Sequence, residues 1–180
     1  MKRVLLIYSI CLFGLFNLYG QIYNTNLANI KFLSNAPLEI IKAESSQLKG
    51  ALNIKNKTFA FKLFIKSFDG FNSPLQKEHF YENYLEVKTY PESVFKGKIL
   101  EDINLTSTGT YRAKGILNIH GISKEVIIDV QLEPKDCRFA FSSKFNVQLK
   151  DYKIEVPRIV NHKIAETINI EVFGELTSLE

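Results

Sequence analysis

SPLQKEHFYENYLEVKTYPESVFKGKIL, residues 73–100, holds the one clear helix signal in a chain that otherwise alternates like β-sheet. Ser73 suits an N-cap, Pro74 the first helical position, and Gln76 completes a capping box three residues after the serine. Leu75, Phe80, Tyr84 and Val87 share roughly one face at helical spacing, with Lys77, Glu78, Glu82 and Glu86 elsewhere. The spacing predicts a helix from Pro74 to about Glu86. Tyr90-Pro91 ends it, because proline pushes its predecessor into extended geometry. A period of two then resumes, with Phe95, Gly97 and Ile99 against Lys96 and Lys98. A short helix set between strands closes or plugs something.

Working outward, residues 58–68 make the cleanest strand, with Phe59, Phe61, Leu63 and Ile65 on one face. Before it, residues 21–28 read as a loose lead-in and residues 29–35 as a weak first strand. Glu44-Ser45-Ser46 reads as a turn, and residues 47–55 as a second strand with Leu48, Gly50, Leu52 and Ile54 together. After the helix, residues 110–119 and 124–133 form a hairpin across His120-Gly121-Ile122-Ser123. Its inward sets are Ala113, Gly115, Leu117, Ile119 and Val126, Ile128, Val130, Leu132. Residues 137–148 carry Phe139, Phe141, Ser143, Phe145 and Val147 inward. Residues 150–163, with Pro157, read as an irregular crossing of one end, and residues 165–176 close the chain with Ile168, Ile170 and Val172.

About eight antiparallel strands result, each with one oily and one wet face. The expected fold is all-β, an eight-stranded antiparallel barrel with the short helix between strands, since closure removes exposed edges. Such a barrel is just wide enough to be filled by side chains or to hold one small ligand. Fourteen phenylalanines favour filling. Small residues on inward faces (Gly50, Gly97, Ala113, Gly115, Ser143) leave room, although strand glycines also relieve sharp sheet bends. The pattern alone leaves both open.

The first segment stands apart. Met1-Lys2-Arg3, an apolar run over residues 4–16, and Gly20 before Gln21 read as a secretory signal peptide, too short for a spanning helix. Cleavage near Gly20 leaves a single domain of residues 21–180, and export to the periplasm or the medium is expected. Cys11 lies inside the leader's apolar core, which argues against lipidation, and Cys137 is then left without an intrachain disulfide partner. The formal charge of +4 falls to +2 without Lys2 and Arg3. No basic block suggests nucleic-acid binding, and no glycine-rich loop suggests phosphate binding.

Catalytic chemistry finds no footing. His79, His120 and His162 match no local metal spacing, so no metal or other cofactor is expected. No serine sits in a nucleophile elbow, and Glu78 with Glu82 reads as a solvated helix face.

Three stretches are similar to one known family. EHFYENYLEVKTYPESVFKGKI (78–99) resembles the helix, tyrosine-proline pair and strand of YceI-like proteins. GTYRAKGILNIHGISKEVIIDV (109–130) resembles their hairpin with an Ile-His-Gly turn, and DYKIEVPRIVNHKIAETINIEV (151–172) the C-terminal part of one subgroup. The resemblance implies a lipocalin-like barrel that encloses an isoprenoid or similar amphiphile, often exported to the periplasm, with no family-wide catalytic residue. The chain departs in the helix, where His79-Phe80-Tyr81-Glu82-Asn83 stands in place of the paired aspartates common in the larger branch.

The leading expectation is therefore a non-enzymatic protein that binds, sequesters or transports an apolar isoprenoid-like lipid in the cell envelope. Its lining and lid residues are expected to be Phe59, Phe61, Leu63, Phe80, Tyr84, Phe95, Gly97, Ile99, Gly115, Leu117, Ile119, Ile128, Phe139, Phe141, Ser143, Phe145, Ile168 and Ile170. Tyr81, Asn83, Tyr90 and Arg158 are candidate head-group contacts, and Tyr84 could join them. The alternative is a solid barrel serving as a protein-interaction module, as a homodimer for example, with Phe64, Ile116 and Ile127 in an outer apolar patch. A third reading, an enzyme acting on a lipid-like substrate, requires a strongly perturbed titratable group inside the barrel.

Overall fold

The structure, a computed structural model, describes residues 22–136 and 138–178; the leader with Cys11 and the lone Cys137 lie outside them. Eight strands run in chain order: β1 (Ile22–Asn35), β2 (Ile40–Asn53), β3 (Thr58–Phe64), β4 (Glu92–Ile99), β5 (Gly109–Ile119), β6 (Ile122–Lys135), β7 (Arg138–Gln148) and β8 (Thr167–Ser178). Each pairs antiparallel with the next, and β8 pairs back onto β1, so the sheet is a closed barrel, although β6 and β7 pair only over Gln131–Lys135 and Arg138–Ser142. The alternation read from sequence is the cause: Tyr111, Ala113, Gly115 and Leu117 point inward while Arg112, Lys114 and Ile116 meet solvent.

Two N-terminal expectations are corrected. β1 begins at Ile22, where a loose lead-in was expected, and β2 is continuous through residues 44–46, where a turn was expected. The ladder between them slips: Ala28 pairs with Leu48, but Ile30 pairs with Ser45. Such bulges break the period of two and hide a long strand from pattern reading. Within the bulged stretch the Ser45 hydroxyl lies 2.7 Å from that of Ser67 and accepts from the Gln47 amide. β3 also ends earlier than expected, because Ile65–Ser67 form a 3-10 turn.

The β5–β6 connection is tighter than the expected four-residue turn. Ile119 pairs with Ile122, leaving only His120 and Gly121, with φ of 51° and 71°. Two positive φ values are what a two-residue hairpin needs to match strand twist. A Cβ at Gly121 would also collide with the Tyr90 ring.

The helix α1 (Pro74–His79) starts as expected, with the Ser73 hydroxyl accepting from the Gln76 amide at 3.2 Å. It is shorter than the predicted span to Glu86. Phe80–Tyr84 widen into a π turn, closed by the Leu85 amide donating to the Phe80 carbonyl. Glu86 then takes a positive φ of 43°, and Leu85 and Val87 on either side of it are buried.

This helix lies at the barrel end formed by Asn35, Phe64, Ile119 and Thr167. The opposite end is sealed by the floor. Leu52, Leu132, Phe139 and Leu176 are each at most 3% exposed there. The hydroxyl of buried Tyr111 accepts from the Asn104 amide at 2.9 Å, which fixes the floor loop.

Candidate ligand-binding site

Between lid and floor the interior is only partly filled. An upper chamber of about 400 Å³ lies under the helix, and a smaller one of about 130 Å³ lies deeper; Ile30, Leu63 and Ser93 line both. Phe80 anchors the roof, stacked on Phe32 (centroids 5.1 Å, planes 13° apart), meeting Phe68 edge-on and Phe71 at a tilt. The segment over residues 149–164 forms the other side of the upper chamber through Leu149, Ile154, Val160 and Ile164. Exposed Leu75, His79 and Lys163 also border it, which places the mouth between α1 and that segment.

The deeper chamber is bounded by an aromatic waist. Phe59 and Phe95 are 4.7 Å apart, and Phe61 reaches across from β3 to Phe141 on β7 at 5.5 Å. Gly50 makes room for the Phe61 ring, which occupies the place a Cβ would take. Both hydroxyls lining this chamber are already engaged: Ser93 donates to the Asn118 carbonyl at 2.7 Å and Ser143 to the Asp129 carbonyl at 2.6 Å. The space left over is lined mainly by apolar side chains, and both hydroxyls have already spent their hydrogens.

Polar chemistry gathers at the mouth. Gln76 donates through its amide to Glu39 at 2.7 Å and accepts from the Asn72 backbone amide. Buried Ser34 accepts from the Ala165 amide at 2.9 Å. Tyr84, His79 and Lys163 border the chamber with side chains that make no hydrogen bond or ion pair among the described residues. Burial pushes the Tyr84 phenol above its usual value, which keeps it a neutral donor.

Most of the expected lining residues meet around these two chambers. Leu63, Phe80, Tyr84, Ile119, Ile168 and Ile170 border the upper one. Phe59, Phe61, Leu63, Phe95, Ile99, Leu117, Ile128, Phe141, Ser143 and Phe145 border the lower. Three do not. Phe139 packs edge-on against Tyr23 in the floor, 4.9 Å between centroids. Gly97 and Gly115 face each other across β4 and β5, where a Cβ on either would run into the other strand's backbone. They permit a close strand approach; they do not open space for a ligand.

The four residues expected to meet a head group lie elsewhere. The Tyr81 hydroxyl points away from the chamber and reaches the carbonyls of Phe68 (2.7 Å) and Lys66 (3.0 Å). Tyr90 packs edge-on to His120, and Asn83 and Arg158 are exposed without bordering either chamber. Sequence reasoning missed Phe32, Phe68, His79 and Lys163 as chamber residues. Only Phe32 carried a signal, its inward place in the first strand.

Among the described residues no three His, Cys, Asp or Glu side chains come close enough to hold a metal ion.

The YceI-like domain model matches residues 25–176, from the first strand to the last. The chain belongs to the YceI-like family. Solved structures carry the same fold at low identity. A polyisoprenoid-binding domain from Saccharophagus degradans, described as implicated in plant cell wall breakdown, superposes with a TM-score of 0.75 at 11% identity, over 89% of this chain and 99% of that one. BcnA from Burkholderia cenocepacia gives 0.68 at 12% identity, over 84% and 96%. A YceI protein from Campylobacter jejuni gives 0.59 at 18% identity, over 72% and 78%. No curated protein matches the chain. In this YceI-like barrel α1 and the segment over residues 149–164 border the upper chamber.

Proposed function

We propose that the protein is a non-enzymatic binder of an amphiphile with an apolar, isoprenoid-like tail, which it sequesters or carries in the cell envelope. One observation carries this reading: two adjoining chambers lined by aliphatic and aromatic side chains, with both hydroxyls of the inner one already hydrogen-bonded. Each methylene transferred from water into such a space contributes about 0.8 kcal/mol, so a modest tail suffices for tight binding. The polyisoprenoid-binding description of the Saccharophagus domain supports a tail of the prenyl type. The apolar run after Met1-Lys2-Arg3 supports export.

An enzymatic reading lacks a working group. The titratable side chains bordering the upper chamber sit at its mouth, and the inner chamber has none. The solid-barrel alternative calls for a filled interior and a continuous outer patch. The chambers run against the first requirement. The second is interrupted, since Lys62 lies over Phe64 at 4.9 Å and the Lys114–Glu125 ion pair runs between the strands bearing Ile116 and Ile127.

Native mass spectrometry of protein purified without detergent tests the proposal. A co-purified or readily acquired prenyl lipid is the expected result. A homogeneous unliganded mass that takes up neither quinones nor polyprenyl phosphates would overturn it.

A further inference from the structure

The mouth of the upper chamber is framed by three pieces of chain tied to one another. The β1–β2 turn lies between α1 and the crossing segment of residues 149–164. On one side the Leu38 amide donates to the His162 carbonyl at 2.9 Å, and on the other Gln76 of α1 donates to the Glu39 carboxylate at 2.7 Å. The Asn72 side chain adds a 2.8 Å bond to the Ile40 carbonyl. Each piece turns large apolar side chains to solvent. Ile159 is 91% exposed, Leu38 72%, Leu75 59% and Ile40 55%. Elsewhere among the described residues only Leu27 in β1 and Ile127 in β6 exceed 50%. A lone exposed leucine calls for no explanation, but a cluster around an opening marks a surface that meets a partner.

Charge sets this end apart from the barrel wall. On the strands cations pair with acids across the ladders, Lys31 with Glu44, Lys114 with Glu125 and Lys144 with Glu171. The crossing segment differs: residues 156–165 hold no acid, and Arg158 and Lys163, on either side of Ile159, make no ion pair among the described residues. The facing pieces carry Glu39 on the turn and Glu78 on α1, so positive charge concentrates on the Ile159 side. Apolar tips beside unpaired cations suit the surface of an anionic bilayer. The tips enter the boundary between head groups and acyl chains, and the cations meet the phosphates. A second copy docked symmetrically on this face would instead bring the same cations together.

We propose that the mouth of the barrel docks on the anionic surface of a lipid bilayer, with Leu38, Leu75 and Ile159 in the interface and Arg158 and Lys163 on lipid phosphates. A few side chains hold the protein far more weakly than a spanning helix would, so the contact is reversible. An amphiphile then passes between bilayer and upper chamber without crossing water, a step that rests on the amphiphile-binding reading, whereas the docking itself does not.

Vesicle co-sedimentation tests the docking, with phosphatidylglycerol and phosphatidylcholine in equal parts compared with phosphatidylcholine alone. The variants are Ile159→Ser and Arg158→Gln. Both side chains are exposed and border neither chamber, so neither change disturbs the core or the cavity. All three proteins share one N-terminus, so differences between them report the mouth. Ile159→Ser is expected to weaken binding to the anionic vesicles about tenfold. Arg158→Gln is expected to weaken it about fivefold and to leave phosphatidylcholine binding unchanged. Uptake of a fluorescent fatty acid from solution should be the same in all three. Equal sedimentation of parent and both variants, or no binding of the parent to either vesicle, would overturn the docking. So would self-association of the parent that Ile159→Ser abolishes while vesicle binding stays unaffected, which would assign the face to a second copy. Vesicle binding that responds to both changes, in a protein that takes up no fatty acid, would uphold the docking and remove the amphiphile reading.

Discussion

The Nδ1 of His120 lies 3.1 Å from the backbone carbonyl oxygen of Tyr152, which pins the tip of the β5–β6 hairpin to the segment that crosses the barrel mouth. The ring also packs edge-on against Tyr90 at 4.6 Å. Its Nε2 is buried without a hydrogen bond, 3.7 Å from the Glu86 carboxylate at the end of the lid. Three separate pieces of the mouth thus converge on one imidazole. Donation to a carbonyl requires the hydrogen on Nδ1, so the neutral ring leaves Nε2 as an acceptor facing no donor.

His120→Ala should therefore cost more than a surface substitution. It removes a hydrogen bond to a buried residue, worth about 1 kcal/mol, and exchanges histidine, a residue type enriched at left-handed φ, for alanine, which is not. His120→Asn adopts that φ more readily and should lose less. Urea denaturation of the two variants distinguishes them; equal midpoints would show that the turn conformation contributes nothing.

Phe80 holds the lid by stacking on Phe32, so Phe80→Ala should loosen the roof before it weakens the sheet. Full burial of a phenylalanine would make the loss 3–5 kcal/mol, and the half-buried position reduces it to about 2. Hydrogen exchange should speed up across residues 74–87 while the β5–β6 ladder keeps its protection. Uniform loss of protection over the whole barrel would contradict a lid that opens on its own.

Gly97→Ala should be among the most damaging single-methyl additions in the chain. The new Cβ would meet the Lys114 carbonyl and the Gly115 Cα, both of them backbone, so no side chain can rotate away. Parting β4 from β5 is expected to cost about 1–3 kcal/mol. An unchanged denaturation midpoint would mean that the strands separate freely there.

What the sequence made legible follows from physical regularity. β3, β5 and β7 turn every second residue away from solvent, some of them fully buried and some half-buried, and the barrel interior they build could be listed from a period of two. The N-terminal strands were harder to read, because the slip between Ala28 and Ile30 changes which residues face inward. Leu149, Ile154, Val160 and Ile164 follow no regular spacing; a crossing segment is shaped by the opening it covers, not by its own repeat. The tyrosines show the same limit on the lid. Tyr81 and Tyr84 both look suited to a head group, but the π turn directs Tyr84 to the chamber and Tyr81 to the 3-10 turn after β3.

Tyr81 gives the lid a dependence on alkaline pH. Burial raises its phenol above the usual tyrosine value, nearby Asp69 adds to the rise, and Lys77 opposes it. The neutral hydroxyl donates to the Lys66 and Phe68 carbonyls; a phenolate has no hydrogen to donate and would face their oxygens directly. A group with a raised folded value contributes stability that is full below the unfolded value and is lost as pH rises through the folded one. Lid attachment should therefore hold near neutrality and weaken only on the alkaline side of the usual tyrosine range. Tyr81→Phe should lose about 1 kcal/mol at neutral pH, the net value of the hydrogen bond. It should also lack this tyrosine's share of the alkaline destabilisation. Tyr84 and Tyr152 have raised values as well, so the comparison needed is between the two proteins and not along one curve. Thermal unfolding from about pH 8 to about pH 11, either side of the usual tyrosine value, measures it. The gap between parent and variant should narrow as pH rises; a constant gap would show that the Tyr81 hydroxyl does not donate in the folded state.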